Sequence, residues 1–298
     1  MRLAFKVLMV FGLTVLLLVP LGMVRGTVQD RQHYRAEAVA EVARSTAGAQ
    51  ALAGPVLFVP YSDRVVVVQT DANGVQRRVE QVETGSWVFF PDSLDVRGTV
   101  RSLPRMRGLH EVRVFELDAT LHATFNARIP ADEDPTTPRT VGEALLGVGI
   151  RDVRGLIGVP SLRAMDRPLT LQQGLGRRGG SGLHAVLAPP AQGATLALDV
   201  EFVSSLQGTE TLSIAPLGQR NVIELESAWP HPQFHGGFLP ASREIGANGF
   251  RARWEISSLA SNAQSQFLAA EGGPGTGEAV TDAISVSLVD PVNVYTQV

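Results

Sequence analysis

Residues 7–24 form an apolar run broken only by Thr14 and by Gly12, Pro20 and Gly22, with Lys6 before it and Arg25 after it. At a helical rise of about 1.5 Å per residue the run spans roughly 27 Å, close to the hydrocarbon thickness of a bilayer. The pattern therefore predicts a membrane helix. A cleaved signal peptide is the rival reading, but Gly22-Met23-Val24-Arg25 lacks the small-residue cleavage pattern and the run is longer than a usual signal core. A retained anchor over residues 1–26 is the expectation. The next stretch, VQDRQHYRAEAVAEVAR at 28–44, is rich in helix formers and free of Gly and Pro, so the helix is expected to continue as a polar stalk over 27–53. Gly48, Gly54 and Pro55 mark its end.

Beyond residue 54 the period changes to two. Leu117, Ala119, Leu121, Ala123, Phe125, Ala127 and Ile129 alternate with Asp118, Thr120, His122, Thr124, Asn126 and Arg128, which makes a long strand with one dry face. Similar alternation recurs at 94–102, 196–202, 223–229, 250–256 and 284–288. One wet face per strand suggests antiparallel sheets. The fold class is thus mainly β: a large antiparallel, β-sandwich-like domain over 54–298, carried on one N-terminal transmembrane helix with a helical stalk. The wholly apolar runs 56–59, 65–68 and 87–90 are candidates for central strands. Asp71-Ala72-Asn73-Gly74 reads as a hairpin turn, and the acidic loop ADEDPTTP at 131–138 as a subdomain seam. The segments 174–182 and 271–277 are glycine-rich loops.

With 44% hydrophobic and 18% charged residues and a formal net charge of −3, the chain is neither disordered nor built to bind nucleic acid. The absence of cysteine removes thiol chemistry and thiolate metal sites. Zinc-protease, nucleophile-elbow and P-loop motifs are missing. Gly174, Gly176 and Gly179 spell a dinucleotide-type glycine pattern, but Gly180-Ser181-Gly182 follows where a helix would have to begin, so context rejects it. His231 and His235 have helical metal-ligand spacing, yet Pro230, Pro232, Gly236 and Gly237 surround them and oppose a helix. Asp132, Glu133 and Asp134 lack a spaced calcium-ligand pattern. His110 and His122 read as solvated. No catalytic residue, cofactor or metal is assigned. The cations flanking the apolar run lie on both sides, Arg2 and Lys6 against Arg25, Arg31 and Arg35, and do not fix orientation.

The distinctive segment is WPHPQFHGGFLPASREIGANGFRARW at 229–254, which gathers two of the three tryptophans with several Phe and Pro. Such residues serve binding surfaces and equally pack a loop over a sheet. The candidate contact surface taken from it comprises Trp229, Pro232, Phe234, Phe238, Arg243 and Trp254. The same segment resembles the signature of the CreD family of inner-membrane proteins. LLLVPLGMVRGTVQDRQHYR, STAGAQALAGPVLFVPY, FELDATLHATFNARI, IRDVRGLIG around Asp152, Arg154 and Gly155, and the closing VDPVNVYTQV agree with the family pattern in order.

The resemblance implies a bacterial inner-membrane protein with a cytoplasmic N-terminus and a periplasmic β-rich domain. It further implies ties to cell-envelope integrity and the CreB/CreC two-component regulon, and associations with tolerance to E-type colicins and β-lactam responses. It carries over no catalytic residues, so a non-enzymatic role is expected. Relatives continue past the segment matching 289–298 into further membrane helices, so this chain is expected to be a fragment or truncation. Expected partners are the lipid bilayer and other envelope proteins or peptidoglycan. Two rival readings are a periplasmic sensor of envelope or β-lactam stress, binding for instance peptidoglycan fragments, and a hydrolase using His231, His235 or Asp152.

Overall fold

The apolar run and the polar stretch after it form one uninterrupted helix, α1 (Arg2–Ser45). The computed structural model describes residues 2–70, 76–108, 110–132, 138–176, 180–269 and 280–289. Thr14 and Thr27 fold their hydroxyls back onto the carbonyls of Val10 and Met23, so even the polar side chains near the apolar half are satisfied within the helix. Pro20 sits inside α1 without ending it. Leu8, Phe11, Leu16, Leu17 and Leu21 are all exposed. Among the described residues α1 is the one helix long and apolar enough to cross a membrane, and no part of its apolar window is buried in protein. An exposed oily cylinder of this length is stable where lipid surrounds it.

Helix α1 stops at Ser45, and the first strand starts at Gln50, inside the predicted stalk. In chain order the strands are β1 (Gln50–Thr70), β2 (Gln76–Phe89), β3 (Ser93–Arg107), β4 (His110–Arg128), β5 (Arg139–Val141), β6 (Ala144–Ile150), β7 (Leu156–Ala164), β8 (Arg167–Leu169) and β9 (Gln172–Gln173). There follow β10 (Gly182–Leu187), β11 (Thr195–Thr209), β12 (Thr211–Ala215), β13 (Arg220–Ser227), β14 (Gln233–Gly236), β15 (Ser242–Gly246), β16 (Gly249–Ser257) and β17 (Ile284–Ser287). A short helix, α2 (Ala263–Ala269), inserts Phe267 edge-on against Phe90.

Two sheets result. One has the order β14-β17-β12-β1-β6-β10-β9, with β2 and β5 also paired to β1; the other runs β15-β16-β13-β3-β4-β11-β7-β8. Their facing sides share one core, in which Leu52, Leu57 and Leu146 of the first sheet meet Leu117, Phe202 and Trp254 of the second. The alternation read from the sequence is realised on β4, where Leu117, Leu121, Phe125 and Ala127 are buried and His122, Thr124, Asn126 and Arg128 are exposed. Pairing departs from the all-antiparallel expectation in both sheets. Strands β1 and β12 run parallel, as do β3 and β13. Alternation reports a wet face and a dry face; it does not encode strand direction.

The run at 65–68 is not a central strand. It lies in the outer part of β1, which pairs there with β2 alone, and Val66 and Val68 are 52% and 56% exposed. The turn expected at 71–74 falls outside the described residues, between strands joined as Thr70↔Gln76. Most of the acidic loop at 131–138, Gly179 and the glycine-rich segment 271–277 also lie outside them.

Candidate functional site

A set of specific interactions joins the end of α1 to the second sheet and to the turn after β6. Ala38 and Val42 on one face of the helix pack against Val112 and Val114 of β4. Beside this apolar seam Arg35 forms an ion pair with Glu210 at 2.5 Å, with side chains only 13% and 15% exposed. Arg107 at the tip of the β3–β4 hairpin pairs with Glu41. The helix exit is then caught by the strand ends. Thr209 donates its hydroxyl to the Ala47 carbonyl at 2.6 Å and its backbone N–H to the Gly48 carbonyl at 3.0 Å. Gln50, fully buried, donates to the carbonyls of Asp152 and Gln207, both at 2.9 Å, and accepts from the Asp152 N–H.

Asp152 completes the clasp. Its carboxylate accepts from the Gly48 N–H, from the Arg154 N–H and from the Arg154 guanidinium. The hydrogen bond from the Arg154 side chain is the main reason its carboxyl is held below the usual aspartate range, against some opposing desolvation. Gly155 is required here by space: a Cβ would stand 2.2 Å from the Gln207 carbonyl and 2.3 Å from Gln50 Nε2. Glu210 behaves in the opposite sense. Burial pushes its carboxyl upward, and Arg35 pulls it back only in part. The backbone at Glu210 is left-handed, with φ of 59°, and its carbonyl accepts from the N–H of Leu288, just past β17. One residue thus touches the membrane helix and the segment just past β17.

The aromatic segment divides between core and surface. Trp254 is 1% exposed, with Phe234 edge-on to it, and donates its indole N–H to the Phe238 carbonyl. Trp254 therefore takes no part in a contact surface of the folded domain; β16 alternates, and its register sends this side chain inward. Phe234 and Phe238 are half-buried against the core. Trp229 is half-buried too, with the Arg113 guanidinium 4.0 Å over its ring. Pro232 is half-buried and Arg243 exposed on the edge strand β15.

The residues considered for hydrolysis are engaged separately. Asp152 belongs to the helix clasp, His235 Nε2 lies 3.1 Å from the Ser287 hydroxyl, and His231 packs edge-on against Trp229. No contact links these three among the described residues, and no group of His, Asp and Glu there is arranged to hold a metal ion. The outer face of the second sheet forms an open groove of about 930 Å³ lined by Arg97, Asp118, Glu224, Glu226, Arg251 and Arg253, among others. Most of its charges are paired with neighbours on the same sheet: Glu226 with Arg251, Glu224 with Arg253, and Asp118 with Arg101. Such a face is well solvated and self-satisfied.

The family resemblance singled out Asp152, Arg154 and Gly155, whereas Arg35, Gln50, Thr209 and Glu210 were missed. The Asp-x-Arg spacing of a turn is local; the partners of Arg35 and Gln50 are more than a hundred residues away.

The chain matches the family described as "Inner membrane protein CreD" over residues 2–298. The protein of that description from Escherichia coli (strain K12) is 32% identical over 293 residues, which is 98% of this chain and 63% of that protein. The chain thus spans somewhat under two thirds of that relative's length. Among solved structures, an M1 zinc metallopeptidase from Deinococcus radiodurans aligns with 66% of this chain and 42% of its own, at 8% identity and a TM-score of 0.32. Yeast LTA4 hydrolase in complex with bestatin aligns with 66% of this chain and 28% of its own, at 7% identity and a TM-score of 0.23. Likeness this slight carries no argument.

Proposed function

This chain belongs to the CreD family of inner membrane proteins, and we propose that it acts as a non-catalytic, membrane-tethered envelope protein whose β-rich domain stands in the periplasm. The observation that carries the reading is α1 itself: one helix has an apolar half that no part of the protein covers and a polar half packed on β4 of the second sheet and paired with Glu210. A floppy linker would let the domain drift from the bilayer; a clasped helix makes anchor and domain one mechanical body. That suits a protein that supports the envelope, or reports on it, at a fixed place above the inner membrane. The link to the CreB/CreC regulon belongs to this proposal and is supported by the family resemblance.

Orientation is tested by chemistry that the sequence makes simple. The chain has no cysteine, and Leu259 is 97% exposed. A Leu259→Cys variant in intact spheroplasts reacts with a membrane-impermeant maleimide from the outside if the domain is periplasmic. Labelling only after lysis would place the domain in the cytosol and end the proposal.

A further inference from the structure

We propose that two copies of this chain join through the outer edge of β2, making the arm formed by β1 and β2 a homotypic contact. Beyond Asp63, where β5 stops, the arm is a bare two-stranded ribbon, paired from Arg64↔Val82 to Thr70↔Gln76. It is about 20 Å long at a strand rise of about 3.4 Å per residue. Strand β2 pairs with β1 and with no other described strand, so its outer row of backbone N–H and C=O groups is open. A two-stranded ribbon by itself is marginal in water, and an open edge is a template for another strand. The arm also exposes Val66, Val68, Val79 and Val82, valines that sit on both of its faces.

The sequence of the β2 edge argues for a second copy as the occupant. When two identical strands pair antiparallel about a two-fold axis, the faces are preserved, so each residue opposes one of the same parity. Centring the axis on Val79 sets Val79 opposite itself, Arg78 opposite Glu80 in both directions, and Arg77 opposite Gln81. Neighbouring registers are worse. Centring on Arg78 or on Glu80 puts like charges face to face, and centring on Gln81 or Val82 brings no arginine opposite a glutamate. Opposite charges directly across a strand pair favour a register and like charges oppose it. Anchoring by α1 holds copies on one surface, which raises the frequency with which two such edges meet.

The experiment uses the full 298-residue chain in membranes, with single cysteines placed in a sequence that has none. Val79→Cys brings two thiols together at the axis and yields a covalent dimer under mild oxidation or with a short thiol cross-linker. Gln81→Cys leaves its thiols roughly 14 Å apart along the strands and does not. Adding Arg78→Glu to Val79→Cys lowers the dimer yield about fivefold or more, as two opposed ion pairs become like-charged. Adding Glu80→Arg to that variant restores it. The exposed arm tolerates these changes without loss of the fold. Equal cross-linking at positions 79 and 81, no dimer at 79, or no rescue by the charge swap would each overturn the proposal.

Discussion

At the scale of single residues the account rests on Arg35 and Glu210. Their side chains are almost out of water, and breaking such a pair by removing one partner leaves an uncompensated charge. Arg35→Met is expected to cost about 3 kcal/mol at neutral pH. The pH dependence has a definite sign. Burial raises the Glu210 carboxyl above its ordinary value of 4.5. A raised carboxyl contributes stability that is complete below the unfolded value and is lost as pH rises through the folded one. Removing Arg35 removes the opposing pull and lifts the carboxyl further, so the deficit of the variant should be large at pH 7 and should shrink as pH falls through the raised folded value, being small by about pH 4.5. Urea unfolding of the solubilised chain at both pH values measures this; a deficit independent of pH would show that Glu210 is not the partner that matters. At this scale little is legible in the sequence itself. Asp152 and Arg154 cap a turn two residues apart, and it is the resemblance of their stretch to the family pattern that singles them out. Glu210 sits in Gly208-Thr209-Glu210-Thr211, where nothing in the neighbouring residues announces that a helix over a hundred positions earlier will bury it.

Among elements, two apolar stretches that look alike in the sequence meet different fates. Leu121 on β4 is fully buried in the shared core, whereas Val68 on the β1 arm is more than half exposed. Leu121→Ala should therefore destabilise the domain by about 3 kcal/mol through lost burial and an unfilled cavity. Val68→Ala should change it by less than about 0.5 kcal/mol. Thermal or urea melts of the two variants decide the matter, and similar losses would mean that the arm packs against the domain. Periodicity identified the strands because one wet face and one dry face is a property of neighbouring residues. It misplaced 65–68 because four valines in a row satisfy a buried strand and an exposed two-stranded ribbon equally. It pointed to antiparallel sheets and so missed the parallel pairs β1–β12 and β3–β13, which depend on where the chain returns after long excursions. The aromatic segment shows the same limit: its richness was visible, but the inward turn of Trp254 follows from the register of β16 against β13, Ile223↔Trp254.

Across the whole molecule one helix is both membrane anchor and structural member of the β domain. A cysteine scan along α1 in intact and permeabilised spheroplasts, with a water-soluble maleimide, tests both roles in one series. No reaction is expected at 7–24, where lipid covers the chain. Labelling from the outside is expected at exposed positions such as Arg31 and Glu37, and protection at Ala38 and Val42, whose side chains face β4. Free reaction within 7–24, or uniform reaction from 28 to 45 with no protected face, would contradict this dual role.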